Sequence, residues 1–264
     1  MLTIHRAGSS GVTWARRSAA ASLFCLAQTD AARPLSLKIL LGALNPTEGV
    51  VKTHGRTAFV PQLFQVSFDY SVLDMVLMGR ARQVGSFSQP SAKDAEALLA
   101  ALDRFGIADL ASRPFLGLSG RQRQLVIFAR ALVSEADILI LDEPTSALDL
   151  KNQSLVLEWI TRLSHSDGLT VLFTTHHSHH ALAIADKVLL MLKETNYACG
   201  CASQVLSEEN LRALYGIDMR HLPFEHKGVM HETPVPVLPH APRAEKSLSK
   251  ANGDPVLRQR TNAH

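Results

Sequence analysis

Residues 138–144 read Ile-Leu-Ile-Leu-Asp-Glu-Pro, and no other stretch says more about the fold. Four consecutive apolar residues that lead into two carboxylates are typical of a strand buried on both faces of a sheet. In α/β folds such strands deliver ligand-binding side chains at their carboxyl ends. Asp142 is therefore a candidate Mg²⁺ ligand, and Glu143 is a candidate general base for an attacking water. The alternative is a core strand that ends in two acids by coincidence.

Apolar stretches of strand length alternate with helical segments on both sides of this motif. The predicted strands are 138–141, 170–174 and 187–192, with short candidates at 50–52 and 57–60, and the predicted helices are 71–80, 91–105, 122–134, 154–164 and 179–185. The strands are continuous apolar runs, which indicates a largely parallel sheet with both faces covered. The predicted fold class is therefore α/β, a mostly parallel sheet with helices on both faces and a helical subdomain at about 71–134.

The overall composition argues against two classes of protein. The formal net charge of +3 over 264 residues is too small and too evenly spread to indicate a nucleic-acid partner. The sequence contains no run near the roughly 18 apolar residues that a membrane-spanning helix needs, so membrane association would require a partner. Cys25, Cys199 and Cys201 are too few and too irregular for a disulfide framework, which is consistent with a reducing cytosol.

Four shorter motifs flank residues 138–144 in a fixed order. They are Phe-Val-Pro-Gln at 59–62, Leu-Ser-Gly-Arg-Gln-Arg-Gln at 118–124, Ser-Ala-Leu-Asp at 146–149 and Phe-Thr-Thr-His at 173–176. They resemble the Q-loop, signature, D-loop and switch histidine of the ATP-binding-cassette (ABC) family, with 138–144 as the Walker B strand. The resemblance covers about residues 37–224 and implies a P-loop NTPase-like fold.

The resemblance implies a role for the acidic residues and their neighbours. Asp142 is similar to the residue that holds Mg²⁺ with ATP, and Glu143 to the catalytic base. Gln62 resembles the Q-loop residue that links Mg²⁺ and water to a transmembrane partner, so it is both a catalytic and a metal candidate. His176 resembles the switch histidine that contacts the γ-phosphate. Residues 176–180 contain four histidines and could also hold a metal ion, but no carboxylate or cysteine lies beside them in sequence.

The same resemblance implies a second copy of the chain. Ser119, Gly120 and Gln122 are similar to signature residues that bind the ATP of the opposite subunit, where a hydroxyl, backbone N–H groups and a helix N-terminus favour an anion. Asp149 resembles the D-loop residue that crosses the dimer interface. Arg121 stands where the signature usually has glycine, and it places a bulky cation beside this composite site.

Three stretches narrow the resemblance to importers of iron siderophores, haem and cobalamin. They are residues 67–80, 146–153 and 206–218. The implied protein is a homodimeric ATPase that uses ATP and Mg²⁺ at the cytoplasmic face of the bacterial inner membrane. Its implied partners are transmembrane permease subunits and, indirectly, a periplasmic binding protein. The predicted function is ATP hydrolysis that drives uptake of an iron chelate, a siderophore or haem; an ABC importer for another cargo remains an alternative.

Residues 27–35 depart from the family. An ABC ATPase needs a glycine-rich loop followed by Lys and Ser or Thr to cradle phosphate. Here the segment reads Ala-Gln-Thr-Asp-Ala-Ala-Arg-Pro-Leu, without a glycine. Arg33 occupies the lysine position and is a degenerate phosphate-binding candidate, although a planar guanidinium does not replace a compact ammonium. Pro34 removes an N–H group. We expect weak ATP binding, and the alternative function is a non-hydrolysing ABC remnant, regulatory or pseudogene-like.

A change of reading frame would explain this segment. Leu26 to Ser36 can be encoded by codons that, read from the third nucleotide, give Gly-Pro-Asn-Gly-Cys-Gly-Lys-Thr-Thr-Leu, a complete phosphate-binding loop. One extra nucleotide near Ser36 would account for the shift. Residues 1–36 are therefore an atypical part of the predicted ATPase domain, residues 1–224. Residues 225–264, with five prolines and few periodic apolar residues, are predicted to form a disordered tail.

Overall fold

The computed structural model describes residues 2–5, 12–14, 23–28, 33–62, 66–84, 90–146, 148–192 and 196–238, with side chains from Ser36 onward. The strands are β1 (Leu2–His5), β2 (Val12–Trp14), β3 (Leu23–Gln28), β4 (Val50–Thr53), β5 (Thr57–Val60), β6 (Ile138–Leu141), β7 (Thr170–Thr175), β8 (Lys187–Met191), β9 (Tyr197–Cys201), β10 (Met219–His226) and β11 (Val229–Pro236). The α-helices are α1 (Arg33–Leu40), α2 (Val72–Leu77), α3 (Ala92–Arg104), α4 (Gly120–Leu132), α5 (Leu150–His165), α6 (Ser178–Ile184), α7 (Ala202–Val205) and α8 (Glu208–Tyr215). None of the helices within these ranges combines the length and the apolar character that crossing a bilayer requires.

A six-stranded sheet with the order β5-β6-β7-β3-β8-β9 organises the fold. Neighbouring strands are parallel, except that β9 is antiparallel to β8. Parallel strands of one sheet need crossover connections, which α5 supplies between the neighbours β6 and β7, and α6 between β7 and β8, on either side of β3. The predicted α/β class with a mostly parallel sheet is confirmed. The carboxyl ends of the parallel strands therefore share one edge of the sheet.

Burial on both faces explains why the central strands are continuous apolar runs. All four residues of β6 are buried, and successive side chains of a strand point to opposite faces. Leu139 and Leu141 belong to the larger core, which also contains buried residues of α4 and α5. Ile138 and Ile140 belong to a smaller core with Leu37 of α1 on the other face. The sheet is thus the middle layer between two groups of helices.

The helices between β5 and β6 form the predicted helical region, and a serine begins each of the three. Ser71, Ser91 and Ser119 each accept a hydrogen bond from the backbone N–H three residues on, while the side chain at that position bonds back to the serine N–H. Gly79 follows α2 and touches α4 closely, because an added Cβ would lie 2.0 Å from the carbonyl oxygen of Arg130. Close packing therefore requires glycine at this position.

The C-terminal part of the chain differs from the predicted disordered tail over residues 225–238. Strands β10 and β11 pair antiparallel over eight residues each, joined by Lys227 and Gly228, which both have positive φ (51° and 77°). Two such residues make the tight hairpin turn that matches strand twist. A two-stranded ribbon has only edge strands, which tolerate proline, so the prolines there do not prevent pairing. Residues 239–264 lie outside the described residues.

Candidate active site

Two neighbouring strands bring the predicted acidic residues and the switch histidine to one edge of the sheet. Asp142 and Glu143 directly follow β6, and His176 directly follows β7. The two strands are parallel, with Leu141 opposite Phe173 in register. Their carboxyl ends therefore meet, and the three predicted residues lie at one place.

Thr174, the next-to-last residue of β7, connects the two acidic residues. Its hydroxyl donates to Oδ1 of Asp142 at 2.8 Å and accepts the backbone N–H of Glu143 at 2.9 Å. Thr174 has no exposed surface. A hydroxyl can donate and accept at the same time, so these two bonds join the acidic pair to β7.

Glu143 is the most deeply buried of the predicted site residues whose side chains are described. Its side chain is 1% exposed, whereas that of His176 is 46% exposed, and Nδ1 of His176 lies 2.6 Å from Oε2 of Glu143. An ionised carboxylate only accepts hydrogen bonds, so we assign the proton in this contact to Nδ1. The hydroxyl of Tyr215 in α8 donates to the backbone carbonyl of His176 at 2.7 Å, which fixes the histidine from the other side.

Gln62 joins the site through Ser146. Its Nε2 donates to the Ser146 hydroxyl at 3.0 Å, and that hydroxyl donates to the carbonyl oxygen of Glu143 at 3.1 Å. A cleft of about 160 Å³ lies between these residues and the start of α4, where Gly120 and Gln124 line it. The predicted Q-loop residue is therefore part of the same hydrogen-bonded group as Glu143.

The signature and D-loop candidates lie at exposed helix starts and bond within their own segments. The Ser119 hydroxyl accepts the N–H of Gln122 at 3.3 Å, and the Gln122 side chain accepts the N–H of Ser119 at 3.0 Å. A Cβ added to Gly120 would meet nothing within 4 Å. Asp149 caps α5 by accepting the N–H of Asn152 at 2.8 Å. Ser119, Gly120 and Asp149 are exposed and Gln122 is partly buried.

Arg33, the degenerate phosphate-binding candidate, is the first residue of α1. Strand β3 lies between β7 and β8 and ends beside them, with Ala27 opposite Thr175. The chain therefore leaves the sheet at the edge that carries His176, which is where a phosphate-binding loop would begin. Residues 29–32 and the side chain of Arg33 lie outside the described part of the chain.

The histidines that follow His176 resist protonation to different degrees, and His180 is the buried one among them. Burial, and then the neighbouring histidines, lowers the pKa of His180 to about 4. Burial also lowers the pKa of His177 and His179. The ring of His180 contacts the hydroxyl of Thr145 at 3.3 Å. Within the described ranges no three His, Cys, Asp or Glu side chains are arranged to hold a metal ion. The lowered pKa values of these three rings disfavour their charged forms.

The donor set at the sheet edge fits Mg²⁺ held together with a nucleotide. Asp142 supplies carboxylate oxygens and Gln62 an amide oxygen, and hard oxygen donors are what Mg²⁺ prefers. One or two carboxylates, with phosphate and water as the other ligands, are the usual arrangement for this ion.

Three side chains that complete the site were missed by sequence reasoning. They are Thr174, Ser146 and Tyr215. Thr174 and Ser146 lie inside motifs that the sequence does highlight, so their positions were available as a signal. Tyr215 is 39 residues from the histidine it contacts, and no local pattern indicates that contact.

Comparisons with known proteins agree with this geometry. The sequence family described as "ABC transporter" matches residues 35–146. The chain is 43% identical over 197 residues to the molybdate import ATP-binding protein MolC of Haemophilus influenzae, covering 75% of this chain and 78% of MolC. It is 34% identical over 227 residues to a probable iron chelatin transport ATP-binding protein of Helicobacter pylori, covering 78% of this chain and 86% of that protein.

Among solved structures, a chain described as an inward-facing ABC transporter of the metal-chelate type superposes with a TM-score of 0.83. It is 36% identical to this chain, and the match covers 90% of this chain and 97% of that chain.

Proposed function

The chain belongs to the ATP-binding subunits of ABC transporters, and on that premise we propose that Asp142, Glu143 and His176 form its ATP-hydrolysing site, which drives an importer. The observation that carries the proposal is the contact between Glu143 and His176. A carboxylate whose side chain is 1% exposed lies 2.6 Å from an imidazole at the carboxyl edge of the sheet, beside a second carboxylate. Burial of an acid beside a positioned imidazole is an arrangement that suits general-base chemistry.

Each residue contributes differently in this proposal. Glu143 accepts the proton of the attacking water, and the Nδ1–H group of His176 holds the carboxylate in place. Asp142 and Gln62 would hold Mg²⁺, which when bound neutralises phosphate charge. Ser119 and Gly120 of a second copy would contact the nucleotide with a hydroxyl and with N–H groups at the start of α4. These roles follow the family pattern, and the hydrogen bonds around Glu143 support them.

The test is ATP turnover by the purified full-length chain and by its Glu143→Gln variant, made in the native chain or, if that is inactive, in the chain with its phosphate-binding loop restored as described below. We expect the variant to lose about 100- to 10,000-fold in turnover, the range that a general base supplies, while nucleotide binding is retained. Equal turnover by the two proteins would contradict the assignment of the base.

A second candidate function is a non-hydrolysing ABC remnant, and the sequence of residues 27–35 favours it. That segment has no glycine, and Arg121 replaces a glycine of the signature. The family match begins at residue 35, at the end of this segment, which is also what a shifted reading frame before Leu37 predicts.

Two measurements separate a remnant from a frame-shifted but intact ATPase. Sequencing the gene checks whether the codons for Leu26 to Ser36 permit the glycine-rich reading; incompatible codons exclude the frame explanation. A loop-restored chain, with the ten residues Gly-Pro-Asn-Gly-Cys-Gly-Lys-Thr-Thr-Leu in place of the shifted segment, should then turn over ATP. If the native chain is inactive and the loop-restored chain is active, the defect lies in the loop alone.

The cargo of the importer is proposed from two different sources. The stretches 67–80, 146–153 and 206–218 favour an iron chelate, either a siderophore or haem, and one relative is described as an iron chelatin transporter. The greater identity to a molybdate import protein favours molybdate as the second candidate. Metal uptake by cells that lack this gene, measured separately for iron chelates and for molybdate, distinguishes the two.

The proposed assembly is a head-to-tail homodimer at the cytoplasmic face of the bacterial inner membrane, attached to permease subunits. Light scattering of a Glu143→Gln variant with ATP should detect a dimer, since blocked hydrolysis would retain the shared nucleotides. Co-purification from membranes with a permease encoded beside this gene tests the attachment. Recovery of the chain without any membrane protein would contradict it.

A further inference from the structure

We infer that Thr174 is a positioning residue for hydrolysis, which acts by holding Asp142 and Glu143 in one fixed arrangement. This inference rests on the proposed function and gives a role to a residue to which the sequence analysis assigned none. Thr174 touches neither a nucleotide nor an attacking water in this assignment. Its effect on the reaction passes through the two acids.

The first argument is the pair of hydrogen bonds. The Thr174 hydroxyl has one proton, which it donates to Asp142 Oδ1 at 2.8 Å, and a lone pair, which accepts the Glu143 N–H at 2.9 Å. One side chain thus holds the carboxylate of the first acid and the backbone of the second. Because Thr174 and Glu143 are both buried, water does not readily replace the bond to the Glu143 N–H, and loss of a buried bond is costly.

The second argument is the backbone of Glu143. This residue has a φ of +47°, a backbone conformation that residues other than glycine rarely adopt. It also precedes Pro144, and a following proline restricts the backbone further. Such a conformation persists only where surrounding contacts determine it. The N–H of Glu143 donates to Thr174, so this bond is one of the contacts that hold the base in its unusual conformation.

The third argument is the position of Thr174 between the acids and the histidine. Strand β7 carries Thr174 and leads two residues later into His176, which contacts the Glu143 carboxylate at 2.6 Å. Glu143 is therefore tied to β7 twice, by its backbone through Thr174 and by its side chain through His176. Without the Thr174 hydroxyl, the Asp142–Glu143 peptide can move relative to His176 and shift the Asp142 carboxylate. A displacement of about 1 Å can cost a factor of about 100 in rate.

The experiment compares Thr174→Val, which has the same shape but no hydroxyl, with Thr174→Ser, which keeps the hydroxyl. Thr161→Val is the matched control, because the Thr161 hydroxyl bonds to a backbone carbonyl within α5 at 2.9 Å, away from the site. Two properties are measured: hydrogen exchange of the Glu143 amide by NMR on the full-length chain, and steady-state ATP turnover as a function of ATP and of Mg²⁺ on whichever of the native and loop-restored chains is active.

We expect the Glu143 amide to exchange at least about tenfold faster in Thr174→Val, because its acceptor is gone. Turnover should fall about 10- to 100-fold, and the Mg²⁺ concentration for half-maximal rate should rise, while the KM for ATP changes by less than about threefold. Thr174→Ser should recover turnover to within about threefold of wild type. A role limited to filling the core would lower stability without altering the Mg²⁺ dependence.

The inference is overturned if Thr174→Val matches Thr161→Val in amide exchange and in Mg²⁺ dependence, or if Thr174→Ser is as impaired as Thr174→Val. If the proposed ATPase function itself is wrong, the outcome can be told apart from these results. In that case neither the native nor the loop-restored chain turns over ATP, and the exchange of the Glu143 amide still decides whether Thr174 holds the acidic pair.

Discussion

The carboxyl edge of β6 and β7 and the first turn of α4 carry the two most specific motifs of the chain, and they are built differently. At the sheet edge, Glu143 is 2% exposed and is bonded to side chains of other segments. At the start of α4, Ser119 and Gly120 are exposed, and the capping bonds close within the first turn. The chain's own core thus holds the acidic residues and the histidine, whereas the signature is capped within its own helix and lies at an open surface.

After Glu143→Gln, the largest effect at the sheet edge should come from His176→Ala. The buried Glu143 carboxylate then loses its 2.6 Å partner. We expect turnover to fall about 100- to 1,000-fold and the unfolding free energy to fall by about 1–3 kcal/mol. Turnover is measured on whichever of the native and loop-restored chains is active, and stability by urea titration. His165→Ala, exposed on α5, is the control and should change neither; wild-type behaviour of His176→Ala would mean that the sheet-edge contact is incidental.

Acid should weaken the sheet edge more than the start of α4. The pKa of His180 is lowered to about 4 by burial and neighbouring histidines, and burial lowers those of His177 and His179. The unfolded chain therefore takes up protons first as pH falls, so this stability is present above about pH 6.5 and is lost toward pH 4. Each such histidine can raise the unfolding constant by up to about tenfold per pH unit.

The pH effect is measured by urea titration of the native chain and of His180→Gln between pH 7 and 4.5. The variant lacks the most strongly shifted group, so its stability should fall less steeply over that range. Identical slopes in the two proteins would contradict the shielding of His180.

Gly120→Ala tests the start of α4, where we expect a change in turnover without a loss of stability, unlike at the sheet edge. Nothing lies within 4 Å of the added Cβ, so the fold should tolerate it or gain up to about 0.5–1 kcal/mol from the better helix former. Turnover should nevertheless fall about tenfold, because a methyl group obstructs close approach of a nucleotide to the backbone. Gly117→Ala, which also meets nothing within 4 Å, is the control for an open glycine outside the motif. Unchanged turnover in Gly120→Ala would remove the reason for assigning this surface to a second subunit.

Tyr215→Phe should have the smallest effect. It removes only the hydroxyl that donates to the His176 carbonyl at 2.7 Å. We expect a loss of about 0.5–1.5 kcal/mol in unfolding free energy and a decrease in turnover of about threefold or less. Thermal unfolding and ATP turnover check this, and a decrease as large as that of His176→Ala would mean that α8 controls the histidine more strongly than its ring contact does.

Sequence reasoning predicted the fold class well and some of its details poorly. A short apolar run in the sequence predicts a buried parallel strand. The strand predicted at 138–141 has the same bounds as β6. The hairpin of β10 and β11 was missed, because its prolines and exposed side chains hide the pattern that usually marks a strand. The turn at Lys227 and Gly228 was the one local signal.

The residues of the candidate site were predicted from the sequence, but the contacts that hold them in place were not. The sequence alone determined which acids, amide and histidine could do the chemistry, since residue type and the end of a buried strand are local properties. Only the tertiary structure decided how Thr174 and Tyr215 hold them, because these contacts join residues that are 31 to 39 positions apart in the chain. Sheet order sets such contacts, and sheet order comes from the packing of the whole core, which no single stretch of sequence encodes.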